Sequence, residues 1–150
     1  MDSTVAVAAM GFVATIGGVA LSAYWQRSSA REAQMLAAQV QVYGACVEAL
    51  HEYERVMFSR VRARIEQRPD AEREALRQEA YRCDTRARSA IGQAIFLSGD
   101  EGLDEQLDDV RDKVEALNRV DALPDLWHRH DEILKTLRQV LSRVRKGLPH

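Results

Sequence analysis

The longest run of apolar and small residues lies at the N-terminus. No residue between Asp2 and Arg27 is charged, and residues 4–25 are almost wholly apolar or small. A helix of this length reaches roughly 33 Å at 1.5 Å per residue, which is enough to cross a hydrocarbon core of about 30 Å. The pattern therefore predicts a transmembrane anchor over residues 1–26, with the lipid bilayer as a partner.

The residues that follow this segment predict its orientation. Tyr24 and Trp25 have the amphipathic rings typical of a membrane interface, and Arg27 and Arg31 come directly after them. Because basic residues favour the cytoplasmic side, we expect a single-pass protein of the cell membrane, with the N-terminus outside and the C-terminal domain in the cytoplasm. A cleaved signal peptide is disfavoured, since its basic residues would precede the apolar segment.

Small residues recur along the predicted transmembrane helix at four-residue spacing. Ala14, Gly18 and Ser22 lie on one stripe, and Gly11 lies on another. Such stripes allow a second helix to approach closely, which favours self-association in the membrane. Small residues are also common in membrane helices generally, so the pattern leaves open whether the segment associates or only anchors.

Downstream of the anchor, apolar residues recur at intervals of three and four, as in amphipathic helices. A first long helix is expected to run through a juxtamembrane stalk at residues 27–45 and on to about Gln67, with Glu54 interrupting its apolar seam. Turn signals then separate further helices over about 71–98, 103–120 and 124–146.

The third of these helices has the most regular seam. Its apolar residues follow a strict heptad, as in a coiled coil: Leu103, Leu107, Val110, Val114 and Leu117. No segment alternates with the period of a strand, and the loops are short. The expected fold class is all-α: a single N-terminal transmembrane helix that continues into a cytoplasmic antiparallel bundle of about four helices at residues 46–150.

The overall charge balance is nearly neutral. The chain contains 21 basic and 23 acidic residues, so we expect no nucleic-acid partner. Arginines are concentrated in the first two helices, and eight acidic residues lie between Asp100 and Glu115 in the third. We interpret these opposite signs as charge complementarity between neighbouring helices. Eighteen arginines against three lysines, together with abundant alanine, suggest a bacterial genome of high GC content.

Two carboxylate–histidine pairs are candidate metal ligands. Glu48 and His51 lie three residues apart on one helix face, as in carboxylate-bridged di-iron bundles, and Asp125 with His128 repeats the spacing. The two pairs would lie some 20 Å apart in an up-and-down bundle, so one site cannot use both. Glu48 and His51 remain the metal candidates, although no metal or other cofactor is expected. The turn that contains His128 and His130 is expected to be exposed.

No catalytic motif is present in the chain. The sequence has no glycine-rich phosphate loop, no zinc-protease motif and no nucleophile elbow, so we expect no enzyme. Our leading hypothesis is a membrane-tethered helical interaction or scaffold module that binds another protein or a second copy of itself. The alternative is a small membrane-active effector, holin-like or defence-associated, which oligomerises through its transmembrane helix.

Overall fold

The computed structural model describes the backbone of residues 2–98 and 101–147 and the side chains of residues 30–97 and 101–146. The described chain forms four α-helices, with no strand: α1 (Asp2–Ile65), α2 (Asp70–Ser98), α3 (Glu101–Ala116) and α4 (Leu123–Gly147), with a single 3-10 turn at Leu117–Arg119 between α3 and α4. The predicted all-α class is therefore confirmed. Residues 39–150 form one compact unit, as a helical bundle requires, and residues 1–38 form another.

The turn between α1 and α2 ends the first helix by a defined hydrogen-bond pattern. Gln67 adopts a left-handed conformation with φ 51°, and its N–H donates to the carbonyl of Arg64 over 3.1 Å. The N–H of Arg68 donates to the carbonyl of Ala63 over 2.9 Å. These two bonds make a Schellman motif, which satisfies carbonyls that the helix end would otherwise leave unpaired. Pro69 follows, and α2 begins at the next residue.

The apolar seams of the helices meet in one core. The five heptad residues of α3 and its 3-10 extension are all buried, as the periodicity predicts. Four of the five buried side chains of α2 are small, namely Ala80, Cys83, Ala87 and Ala94, and the fifth is Ile91. Small residues let neighbouring helices approach closely, so this surface allows dense packing without large side chains on every helix.

Polar contacts between helices supplement the core. Arg86 of α2 lies 2.7 Å from Glu52 of α1, and Arg111 of α3 lies 3.3 Å from Asp84 of α2. In the second pair α3 supplies the base, which is the reverse of the charge polarity that the sequence predicted. Five of the ten arginines whose side chains the structure describes in α1 and α2 instead pair with acids one turn away, as Arg62 does with Glu66. Local pairing along a helix therefore explains much of the charge pattern.

The expected localisation must be corrected. Among residues whose side chains the structure describes, no helix is long and apolar enough to cross a membrane. In this part of α1 the charges of Arg31 and Glu32 and the amides of three glutamines interrupt the apolar positions, and such groups are costly in hydrocarbon. The prediction of a single-pass membrane protein with an outside N-terminus and a cytoplasmic C-terminal domain is therefore wrong. The lipid bilayer is no longer expected as a partner.

The side chains of the predicted anchor at residues 1–26 lie outside the described residues. The same holds for the small-residue stripes of Gly11, Ala14, Gly18 and Ser22, on which the membrane-active alternative depended. The boundaries predicted for the anchor, the stalk at 27–45 and the bundle at 46–150 remain predictions.

Replacing Leu107 by alanine tests the heptad core of α3. Leu107 is 1% exposed, so Leu107→Ala removes buried methyl groups and leaves a cavity. We expect the free energy of unfolding to fall by about 2–5 kcal/mol in urea denaturation. The neighbouring variant Asp108→Ala lies on the exposed face and should change it by no more than about 0.5 kcal/mol. Equal effects of the two variants would contradict the assigned seam.

The two cysteines give a pH-dependent test of the same core. Cys46 and Cys83 are free and buried. Burial raises the pKa of Cys46 from about 9 to about 11, and burial with the nearby charges of Glu52 and Glu79 raises the pKa of Cys83. The thiolate is the reactive form, so both thiols should react slowly with a disulfide reagent at pH 8 and rapidly in urea.

The sign of the linked stability follows from the raised pKa of Cys46. The folded state favours the neutral thiol of Cys46. The stability that this preference contributes is complete below about pH 9 and is lost as the pH rises from about 9 to about 11. Rapid labelling of the folded protein at pH 8 would show that the cysteines are not held in the core.

Candidate functional site

The contact between α1 and α4 contains a buried carboxyl group. Among residues whose side chains are described, Glu54 is the one polar or charged residue that is buried, with 2% of its surface exposed. It lies in the apolar seam of α1, at the position where the sequence pattern is interrupted. A buried carboxyl group is costly unless hydrogen bonds compensate for the lost water. Glu54 therefore requires a partner within the bundle.

His130 of α4 is that partner. Its Nδ1 lies 2.5 Å from Oε1 of Glu54, and its side chain is largely buried. This separation is that of a hydrogen bond between the imidazole and the carboxyl group. A short hydrogen bond to a carboxylate is among the stronger contacts in proteins. The pair thus joins two helices whose residues are 76 positions apart in the chain.

Aromatic rings surround the histidine of this pair. The rings of Phe58 and Trp127 meet edge to face, with centroids 4.7 Å apart. His130 lies 4.9 Å from Phe58 and 5.8 Å from Trp127 between ring centroids. Helical spacing explains the cluster, because Glu54 and Phe58 are one turn apart on α1, and Trp127 and His130 are one turn apart on α4. The two helices therefore present matching faces to each other.

An open groove of about 530 Å³, the α1/α4 groove, adjoins this cluster. Its lining includes Glu54, His130 and Leu134, and Arg86 paired with Glu52 also lies along it. The remaining lining residues are Glu48, His51 and Arg55. The groove thus has a polar, charged rim beside an aromatic cluster.

The structure places the two predicted carboxylate–histidine pairs in different grooves. Glu48 and His51 are exposed and line the α1/α4 groove. Asp125 and His128 line another, and His128 is 77% exposed with Glu132 as its neighbour at 3.8 Å. The expectation that the two pairs do not share a site agrees with this arrangement.

Potential metal-ligand atoms come together elsewhere. In the part of the chain that the structure describes, atoms of Glu52, Glu79 and Cys83 lie within 4.8 Å of one another, and neither Glu48 nor His51 belongs to this group. Glu52 is already paired with Arg86. A metal role for Glu48 and His51 stays a prediction.

Sequence reasoning missed the role of His130. The turn from His128 to Asp131 was expected to be exposed, and His128 is, but His130 points inward to Glu54. One signal was present in the sequence: a glutamate in an otherwise apolar seam needs a partner, and His130 lies one turn from Trp127. The identity of that partner depends on which helices face each other, and local periodicity does not determine that.

The Glu54–His130 pair has the arrangement of a histidine oriented by a carboxyl group. A histidine oriented by a carboxylate acts as a general base when a hydroxyl or thiol nucleophile stands beside it. In the part of the chain whose side chains the structure describes, no serine, threonine or cysteine lines this groove. Instead, Trp127 lies beside it with half of its surface exposed.

Comparison with known proteins identifies a family. The family model described as KilB plasmid transfer protein matches residues 40–148, a range that includes every residue of the α1/α4 groove. No curated protein and no solved structure matches the chain.

Removal of the imidazole tests the Glu54–His130 pair. His130→Ala leaves a buried carboxyl group without its partner, so we expect a loss of roughly 2–4 kcal/mol in the free energy of unfolding. The double variant Glu54→Leu/His130→Leu removes both polar groups. Its free energy of unfolding should lie within about 1 kcal/mol of that of the unmodified protein. His128→Ala, on the exposed side of the same turn, serves as the control and should change stability by less than about 0.5 kcal/mol.

Urea denaturation of the four proteins measures these differences. A His130→Ala variant as stable as the His128→Ala control would show that the pair contributes nothing to the fold.

Proposed function

The chain belongs to the family of KilB plasmid transfer proteins, and from this premise we propose that it is a non-enzymatic helical module that binds another protein during bacterial plasmid transfer. The family match covers residues 40–148 and with them the whole α1/α4 groove. The observation that carries the proposal is the half-exposed indole of Trp127, which packs against His130 of this groove.

Trp127 has the properties of an anchor for a protein partner. Tryptophan is among the residues that contribute most to binding energy when they become fully buried in an interface. Edge contacts with Phe58 and His130 already hold the ring in one orientation, so little side-chain entropy remains to be lost on binding. An exposed aromatic residue that is rigid before binding is suited to a specific contact.

The surroundings of Trp127 support the same proposal. Protein interfaces combine an apolar or aromatic centre with a polar rim. Here His51 and Arg55 lie on the charged rim of the α1/α4 groove, and Leu134 adds apolar surface within it. The partner that fits this surface has an apolar pocket for the indole, with polar groups around it.

The Glu54–His130 pair has a sufficient structural reason, because it satisfies a buried carboxyl group. We therefore assign it to positioning Trp127 and the α4 face, with no reaction to perform.

The Trp127→Ala variant tests the proposal in cells that transfer the plasmid. Loss of a central anchor residue costs about 2 kcal/mol or more, so we expect binding to weaken by on the order of thirtyfold and plasmid transfer to fall with it. The matched control is Phe96→Ala, because Phe96 is also aromatic and is 87% exposed but lies on α2, away from the groove. The control should transfer the plasmid as the unmodified protein does.

A photo-crosslinking residue in place of His51 identifies what occupies the groove. We expect a crosslinked protein adduct. It should disappear when Trp127→Ala is combined with the crosslinking residue and persist when Phe96→Ala is combined with it instead. Light scattering of the full-length chain measures whether the chain self-associates. It therefore shows whether a second copy can account for the adduct. Normal transfer and unchanged adducts in the Trp127→Ala variant would refute the proposal, provided that thermal unfolding confirms a folded protein.

A further inference from the structure

A second groove carries a local excess of positive charge. It lies where α1 ends and α2 begins and has a volume of about 400 Å³. Four arginines line it, namely Arg60, Arg64, Arg73 and Arg77. The acidic side chains in its lining are Asp70 and Glu74, so four positive charges face two negative ones and the net charge of the lining is +2. No acidic residue of α3 belongs to it.

The carboxylates in this groove leave part of the arginine hydrogen-bonding capacity unused. Arg77 pairs with Glu74 at 2.9 Å, and Arg73 pairs with Asp70. Each guanidinium has five N–H donors, so one carboxylate does not saturate it. Both pairs are exposed to solvent, where a competing anion can replace the carboxylate at little cost.

The two arginines from α1 differ in their contacts. Arg64 donates to the carbonyls of Asn118 and Val120 and pairs with Asp121 at 3.4 Å, so it is held at the end of the 3-10 turn. Arg60 is half-buried, and among the described residues its side chain contacts the sulfur of Met57 at 3.9 Å with no acidic partner. A half-buried cation without a counterion is a favourable point for an external anion.

The spacing of these arginines suits a chain of anions more than one ion. Arg60 and Arg64 lie one turn apart on α1, and Arg73 and Arg77 lie one turn apart on α2. Each pair is thus spaced about 6 Å along its helix. Guanidinium groups bind phosphate oxygens in a bidentate manner, and a nucleic-acid strand presents such oxygens in a regular row.

We propose that this α1/α2 arginine groove binds the phosphate backbone of a nucleic acid, without reading its base sequence. This inference is independent of the partner proposed for Trp127. It also differs from the expectation drawn from the overall charge, because arginines outnumber acids in the lining of this groove. Backbone binding of this kind is electrostatic and therefore depends on salt.

Fluorescence anisotropy with the full-length chain and a short labelled DNA duplex tests the proposal. With two phosphates neutralised, affinity should fall on the order of tenfold between about 50 and about 200 mM salt. The double variant Arg60→Gln/Arg77→Gln should weaken binding at low salt on the order of tenfold and lower the salt slope by about two. Thermal unfolding establishes that the variant is folded.

The double variant Arg82→Gln/Arg88→Gln is the matched control. It removes the same charge from α2, where both arginines are exposed and paired with acids outside the groove. We expect its affinity for the duplex to stay within about twofold of the unmodified protein, since neither arginine lines the groove. Equal weakening by the two double variants would overturn the assignment to this groove.

Competition distinguishes the sources of the anion. At constant ionic strength, inorganic phosphate and an acidic peptide should displace the duplex no better than chloride does. Displacement by millimolar phosphate would indicate a site for a free phosphate ion, and displacement by the peptide would indicate a protein ligand. Either result, or no binding of the duplex at low salt, overturns the nucleic-acid assignment and leaves the Trp127 proposal unaffected.

Discussion

The hydrogen bond between Glu54 and His130 is the constraint on which the contact of α1 with α4 depends. A buried carboxyl group tolerates few arrangements, because an unsatisfied one costs several times more than an ordinary apolar contact contributes. At 2.5 Å, the pair restricts how α4 can slide or rotate against α1. Apolar side chains alone are less selective, since they pack in many registers.

The same constraint accounts for the surface that we assign to partner binding. His130 is held by Glu54, and the rings of Phe58 and Trp127 pack around it. The buried hydrogen bond between Glu54 and His130 therefore sets the orientation of the exposed indole. A polar group that specifies one packing arrangement in the interior can in this way also define a rigid feature on the surface.

Charge is distributed in this protein by two rules that act at different ranges. Along each helix, acids and arginines one turn apart pair locally, as Arg62 does with Glu66. Between helices, the fold decides which charges share a groove, and near Arg60 and Arg77 it brings together more bases than acids. A chain whose total charge is close to zero therefore still carries a groove with a local excess of arginine.

The sequence by itself determined the all-α class, helix boundaries to within a few residues, and the buried heptad of α3, because those features depend on residues three and four positions apart. Glu54 was visible as an interruption, and Glu48 and His51 as residues of one helix face. Only the tertiary structure decided that His130 satisfies Glu54, that Trp127 stands beside the α1/α4 groove, and that four arginines share another. Each of these depends on contacts between helices distant along the chain, and local periodicity contains no information about which helix faces which.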